Sequence, residues 1–297
     1  MTRFLRDNSS IRGIAFYVLS IGPMTGCGER VELSFSAAPG DTWLFTVVER
    51  VRLSTEGMSV ATTVSTQEIR VTVDAWDAAT GVWRLTGLYE RFDSTESALL
   101  AGIEVDDDIS TPRFDAAIGQ SFTFEIHPSG SVQNMRGNTE IVRAMVEDLG
   151  LPARELIDMR RDLEFAYGDL AMTRNMQLFL PGTGHSIRPG RQWNRSIDGG
   201  LAIMQNTYIL KGRGNGSVSL DLEVRTTGDK RGDGLPLGAT SVTVNGRGSG
   251  TVEVDSATGV VREQRMRLND TNQLIFPDGS SLVLEGEVEH IITGKPI

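Results

Sequence analysis

Thr42-Trp-Leu-Phe-Thr-Val-Val-Glu-Arg-Val-Arg-Leu53 alternates apolar and polar side chains with a period of two. That period belongs to a β-strand with one face turned to a core. Trp43, Phe45, Val47, Val51 and Leu53 share one face, and Thr46, Arg50 and Arg52 share the other. Glu49 falls on the apolar face and interrupts it, while Leu44 and Val48 soften the polar face. Both faces of this strand are therefore expected to be partly covered.

The pattern repeats outward. In Glu68–Trp76, Ile69, Val71, Val73 and Ala75 face one way and Arg70, Thr72 and Asp74 the other. Asp77 to Gly81 reads as a turn, after which Val82–Phe92 returns as a strand. Asp93-Ser-Thr-Glu96 has the spacing of a capping box and predicts a short helix through Ala98–Ala101. Glu104 to Asp108 reads as a solvated loop. Ser121–Ile126 and Val132–Arg136 then form a hairpin around Pro128-Ser-Gly130. From Asn138 the period changes to that of a helix, with Ile141, Met145 and Leu149 on one stripe. Gly150 ends that helix and Pro152 opens a second, with a break expected at Gly168-Asp169 before Leu170–Leu180.

Beyond Arg188-Pro-Gly190 strands resume. The candidates are Leu201–Lys211, Val218–Arg225, Ser241–Val244, Thr251–Asp255, Val260–Leu268, Leu274–Phe276 and Leu282–Ile291. Gly248-Ser-Gly250 reads as a strand bend, and Gly228 to Gly234 as a loop. Pro39-Gly-Asp-Thr-Trp43 and Pro189-Gly-Arg-Gln-Trp193 open the two strand-rich blocks with the same grammar. The expected fold is mainly β (α+β): curved antiparallel sheets in two related halves, with a helical segment at about 138–180 between them. Residues 27–137 form the first half, 138–180 the connection and 181–297 the second, or 27–297 form one continuous domain.

A chain of 297 residues, 39% hydrophobic and 23% charged, has the composition of a folded globular protein. The formal net charge is −10. Residues 1–26 carry three arginines against one aspartate, so the remainder is more acidic still. Such a body repels nucleic acid, and no nucleic-acid partner is expected. The single cysteine, Cys27, can form no internal disulfide.

Arg3, Arg6 and Arg12 precede an apolar run, Gly13 to Ile21, which is broken by Gly22-Pro23 and followed by Met24-Thr-Gly-Cys27. A basic start, a short apolar stretch and small residues are the parts of an export signal. The run is too short for a bilayer-spanning helix, which needs about 20 apolar residues. The segment resembles the signal peptide of bacterial lipoproteins, whose lipobox ends in an obligatory cysteine; Met24 departs from the usual leucine, and Thr25, Gly26 and Cys27 fit. The resemblance implies cleavage after residue 26 and lipidation of Cys27. Gly28 is not the aspartate that retains many such proteins at the inner membrane, so an outer-membrane anchor facing the periplasm is expected.

The strand–helix–strand layout, with Leu178-Phe-Leu-Pro181 leading to Pro189-Gly-Arg-Gln-Trp193, is similar to a family of bacterial lipoproteins of unknown function. That resemblance implies a β-rich extracytoplasmic domain and brings no activity with it. In architecture the layout is also similar to the periplasmic lipoprotein carriers, whose concave sheet face holds acyl chains.

No catalytic pattern is present. His127, His185 and His290 include no pair at i, i+4 and no His-Glu-x-x-His, so zinc chemistry lacks its ligands. There is no Gly-x-Ser-x-Gly elbow. Gly212-Arg-Gly-Asn-Gly216 leads into another strand rather than a helix, so a hairpin turn is expected instead of a phosphate loop. Neither Asp106-Asp-Asp108 nor Asp229 with Asp233 has the ligand spacing of a calcium-binding loop. No metal, cofactor or enzymatic activity is expected. Trp43, Phe45, Trp83 and Tyr89 are the candidate lining of an apolar pocket. The expected function is non-catalytic binding of a lipid or other apolar ligand between sheet and helices, with docking of an envelope partner as the alternative.

Overall fold

The computed structural model describes residues 30–100, 103–104, 112–127, 129–147, 149, 151–183, 186–232 and 235–297. The leader, Cys27, His185, Asp106 to Asp108 and Asp233 lie outside the described residues.

The fold is mainly β, and its strands join one curved, open antiparallel sheet rather than two. The strands are β1 (Thr42–Thr55), β2 (Met58–Asp77), β3 (Val82–Leu100), β4 (Ile103–Glu104), β5 (Ser121–Ile126) and β6 (Val132–Arg136) in the first half. The second half holds β7 (Gln192–Asp198), β8 (Ile203–Arg213), β9 (Ser217–Arg231), β10 (Ser241–Asp255), β11 (Val261–Ile275) and β12 (Ser281–Pro296). The spatial order is β6-β5-β3-β2-β1-β12-β11-β10-β9-β8-β7, with β4 paired only to β3. Each half is a meander, and they fuse where β1 pairs β12 from Trp43↔Pro296 to Ser54↔Glu285.

Three helices, α1 (Asn138–Val146), α2 (Ala153–Tyr167) and α3 (Asp169–Leu178), carry the chain from one sheet edge to the other. Both edge strands are short and both pack against α3, which covers the edges that would otherwise offer unpaired backbone. Arg195 on β7 completes the link. Its Nη1 donates to the Leu180 carbonyl and its Nη2 to the Gly130 carbonyl in the β5–β6 turn, 3.0 Å away. The α1 amino terminus is held from α3: the Asn138 amide donates to Asp169 Oδ1 at 2.8 Å.

One end of the concave face is plugged. Val31 pairs with Ile187, the Thr183 amide donates to the Leu33 carbonyl at 2.8 Å, and the Val261 amide to the Phe179 carbonyl at 3.0 Å. Leu33 and Phe35 thereby enter the core, where Phe35 packs edge-on to Trp83 at 5.2 Å and Phe179 stacks on Phe45 at 4.3 Å. A second, smaller core lies toward the far end, where Leu235 and Ala239 cover Val242, Val244 and Leu274.

Several local readings change. The helix expected over Asp93 to Ala101 is the second half of β3 as far as Leu100, paired with β2 to Ala98↔Ala61. A capping-box spacing is a local preference, and a continuous cross-strand ladder overrides it. The pairs Ser241–Val244 with Thr251–Asp255, and Val260–Leu268 with Leu274–Phe276, are each one uninterrupted strand, β10 and β11. The glycines read as breaks in β10 mark a close approach instead. A Cβ on Gly248 or Gly250 would overlap the Arg267 or Arg265 carbonyl of β11. β9 also continues through Gly228 to Arg231, where a loop was expected.

The two Pro-Gly turns are built alike. Gly40 donates to the Val73 carbonyl, Val73 to Asp41, and Asp41 to Ala38, at 2.8, 2.9 and 3.0 Å. Gly190, Leu210 and Arg191 donate to Leu210, Arg191 and Arg188 in the same pattern at 2.7, 3.0 and 3.0 Å. Gly40 and Gly190 both hold positive φ, at 96° and 79°. The first turn opens a central strand, whereas the second opens an edge strand.

Candidate functional site

The strand phase that built the core also builds the site. On β1 the inward side chains run Trp43, Phe45, Val47, Glu49, Val51 and Leu53, and on β12 they run Ile292, His290, Val288, Gly286 and Leu284. Register aligns the two interruptions, because Glu49 lies directly opposite His290. Ser65 of β2 faces Glu49 from the other side, and Ser94 of β3 faces Ser65. Directly opposed residues point to the same face of a sheet. Ser94, Ser65, Glu49 and His290 therefore make one polar row across four strands.

His290 is 5% exposed, and its Nδ1 has no hydrogen-bond partner among the described residues. Burial pushes its imidazole below the usual histidine range, with the Glu49 carboxylate acting in opposition. One step toward the plugged end, Gln264 of β11 is fully buried, and neither its Oε1 nor its Nε2 finds a partner. Gln67 is buried one step down on β2.

Arg174 of α3 supplies the opposing charge. Its Nη1 donates to the Gly199 carbonyl and its Nη2 to the Phe165 carbonyl at 3.1 Å, with the guanidinium 5.6 Å from the Phe165 ring centroid. Burial lowers its pKa, and the charges of Asp198 and Glu49 raise it.

On the far side of the polar row β1 and β12 turn apolar again on the inner face and stay half-buried, with Asp270 and Asn272 of β11 beside them. Val51 and Leu53 form this lane with Val288, at the margin of the first core, and Leu282 and Leu284, at the margin of the second. Val51 is opposite Val288, and Leu53 is opposite Gly286. The glycine is required there, because the Asp270 carboxylate occupies the space its Cβ would take.

The four residues read from the sequence as a pocket do not share one. Trp43 and Phe45, with Phe35, Met176 and Phe179, line a small space of about 20 Å³, room for roughly one water molecule. Trp83 does not line that space; it packs edge-on to Phe35, and its Nε1 donates to the Ala37 carbonyl at 3.1 Å. Tyr89 belongs to a separate ring cluster with Phe92 and Phe122, and its hydroxyl bonds Asn138 Oδ1 at 3.0 Å. Where sheet and helices meet, side chains fill the interior.

Of the histidines, His127 sits exposed in the β5–β6 turn, 3.1 Å from Ser129 Oγ. His290 is the one that sequence reading left aside and the fold places inside. Its signal was legible as phase: it shares the apolar face with Ile292 and Val288, as Glu49 does with Val47 and Val51. Among the described residues no group of three or more His, Cys, Asp or Glu is placed to hold a metal ion. Among them, too, no helix is long and apolar enough to cross a membrane.

A family model described as a family of unknown function, DUF6263, matches residues 92–261, from β3 to the start of β11. No curated protein matches the chain. Among solved structures, one of lipid–protein interactions in lipovitellin aligns over 88% of this chain and 25% of that one, with 8% identity and a TM-score of 0.46. The crystal structure of Pseudomonas aeruginosa OccK5 (OpdH) aligns over 87% and 98%, with 7% identity and a TM-score of 0.26. The chain spans about a quarter of the lipovitellin chain it matches.

Proposed function

The chain belongs to the DUF6263 family of unknown function, and from that premise we propose that it is a lipid-anchored envelope protein that binds an elongated apolar ligand without transforming it. The observation that carries the reading is the half-buried lane of Val51, Leu53, Val288, Leu282 and Leu284 on the concave face. Val51 and Leu53 belong to neither core, while Val288 packs at the margin of the first and Leu282 and Leu284 at the margin of the second, and all five stay partly open. Covering such a lane with a hydrocarbon chain stabilises the complex by about 0.8 kcal/mol per buried CH₂. The space lined by Trp43 and Phe45 holds no such chain, so the ligand belongs on the lane and outside the plugged end.

Mass spectrometry of the protein extracted from its native membrane tests this. An acyl-chain lipid is expected to co-purify with the wild type and to be depleted in Val288→Arg. Equal recovery from both, or no lipid from either, defeats the proposal.

The address rests on Arg3 to Cys27. Radiolabelled palmitate is expected to label the wild type and not Cys27→Ser, and labelling of the mutant would refute lipidation at that residue. The acidic body keeps nucleic acid out of the reading.

A further inference from the structure

Resting on the lane reading, we propose that the row Ser94, Ser65, Glu49 and His290 receives the uncharged, hydroxyl-bearing head of an amphipathic ligand whose chain lies along Val51, Val288 and Leu53. Two residues along a strand is about 6.8 Å, and Glu49 and His290 each stand two residues from the lane members Val51 and Val288. Head and first methylenes of a single ligand span that distance.

The row is not explained by packing. A buried polar group without a partner costs free energy until something bonds it, and His290 Nδ1 and, diagonally one step away on β11, both polar atoms of Gln264 stand in that condition. No hydrogen bond or ion pair of the Glu49 carboxylate is made among the described residues, whereas Arg174 has its own donors on two carbonyls. Glu49 and Ser94 are half-buried and are the accessible members of the row, and Ser65 and His290 are buried.

Charge selects the head. Arg174 lies in the field of Asp198 first and Glu49 second, and burial pushes the His290 imidazole below the usual histidine range. A partly desolvated row penalises any charged head that must leave water to reach it, and a carboxylate would in addition face Glu49. An alcohol both donates and accepts. It can therefore satisfy the Glu49 oxygens, the two serine hydroxyls and a neutral imidazole together.

The experiment is displacement of the apolar dye Nile red from the full chain by four probes of equal chain length, each below its aggregation concentration. Monoolein is expected to compete about tenfold more strongly than methyl oleate, the difference of one or two hydrogen bonds, and more strongly than oleate or oleylamine. In His290→Phe and Glu49→Gln that preference is expected to fall to about twofold while methyl oleate competes as before. Ser65→Ala, which removes only a hydroxyl, covers the case in which His290→Phe does not fold. Equal competition by monoolein and methyl oleate, stronger competition by a charged probe, or a preference that survives in all folded variants overturns the head-group site and leaves the lane standing. If none of the four displaces the dye, the lane reading fails and the site falls with it.

Discussion

The two ends of the concave face are made from the same strands with the same period and finish in different states. At the plugged end, Trp43, Phe45 and Val47 of β1 are at most 6% exposed, because Leu33, Phe35, Met176 and Phe179 are brought down onto them. Further along the same strand, Val51 and Leu53 are as apolar as Val47 and remain half-buried. The difference lies in what crosses the sheet. A strand's own pattern says that a side chain wants cover, and only a segment from elsewhere supplies it. The polar row stands at the boundary between the two states.

The most severe way to break the plugged end is Phe179→Ala, which leaves a hole against Phe45. It is expected to cost about 3–5 kcal/mol, read as a lowered urea midpoint. Val288→Ala in the lane is expected to cost well under half of that. Equal losses would mean that the two ends are packed alike.

Next comes the curvature both ends share. Gly250→Val forces a side chain against the β11 backbone and is expected to cost about 1–3 kcal/mol. The exposed neighbouring Thr251→Val should leave the urea midpoint nearly unchanged. A harmless Gly250→Val would show that β10 and β11 do not approach closely.

The boundary row gives a pH signature. Because the folded-state pKa of His290 is lowered, the unfolded chain takes up a proton first as pH falls. The stability that depends on neutral His290 is complete above the unfolded value of about 6.5, and it is lost as pH falls from there toward the lower folded value. The slope from one such group is at most about 1.4 kcal/mol per pH unit. Urea midpoints of the wild type at pH 7.5 and 5.5 should separate by more than those of His290→Phe, and identical separations would remove His290 as the cause.

The smallest expected effect concerns the cover itself. Asp169→Ala removes the side chain that accepts from the first amides of α1, for about 1 kcal/mol. Hydrogen exchange should quicken in α1 and stay unchanged along β10 and β11. Uniform quickening would mean that helices and sheet unfold as one unit.

Much of this was legible from single strands. Alternation over Thr42–Leu53 gave the faces of β1, the helical period of 138–180 gave the helices, and Pro-Gly-x-x-Trp marked two turns whose hydrogen bonds match residue for residue. The misreadings share one cause. Asp93–Glu96 and the β10 glycines carry local signals for helix and for breaks, and in both places a long ladder with a neighbouring strand decided otherwise. The pocket reading failed to assemble for a related reason. Trp43, Phe45, Trp83 and Tyr89 share one phase and one face, but only Trp43 and Phe45 border the same space.

The sequence by itself determined which way each side chain points, because a strand's alternation is a covalent property of the extended backbone. It thereby placed Glu49 among the apolar residues of its strand, and His290 among those of the last. Only the tertiary structure decided that the two stand opposite each other, 241 positions apart in the chain. Register between distant strands is set by the whole ladder, the bulges in it and the segments that plug one end, and no local preference encodes it.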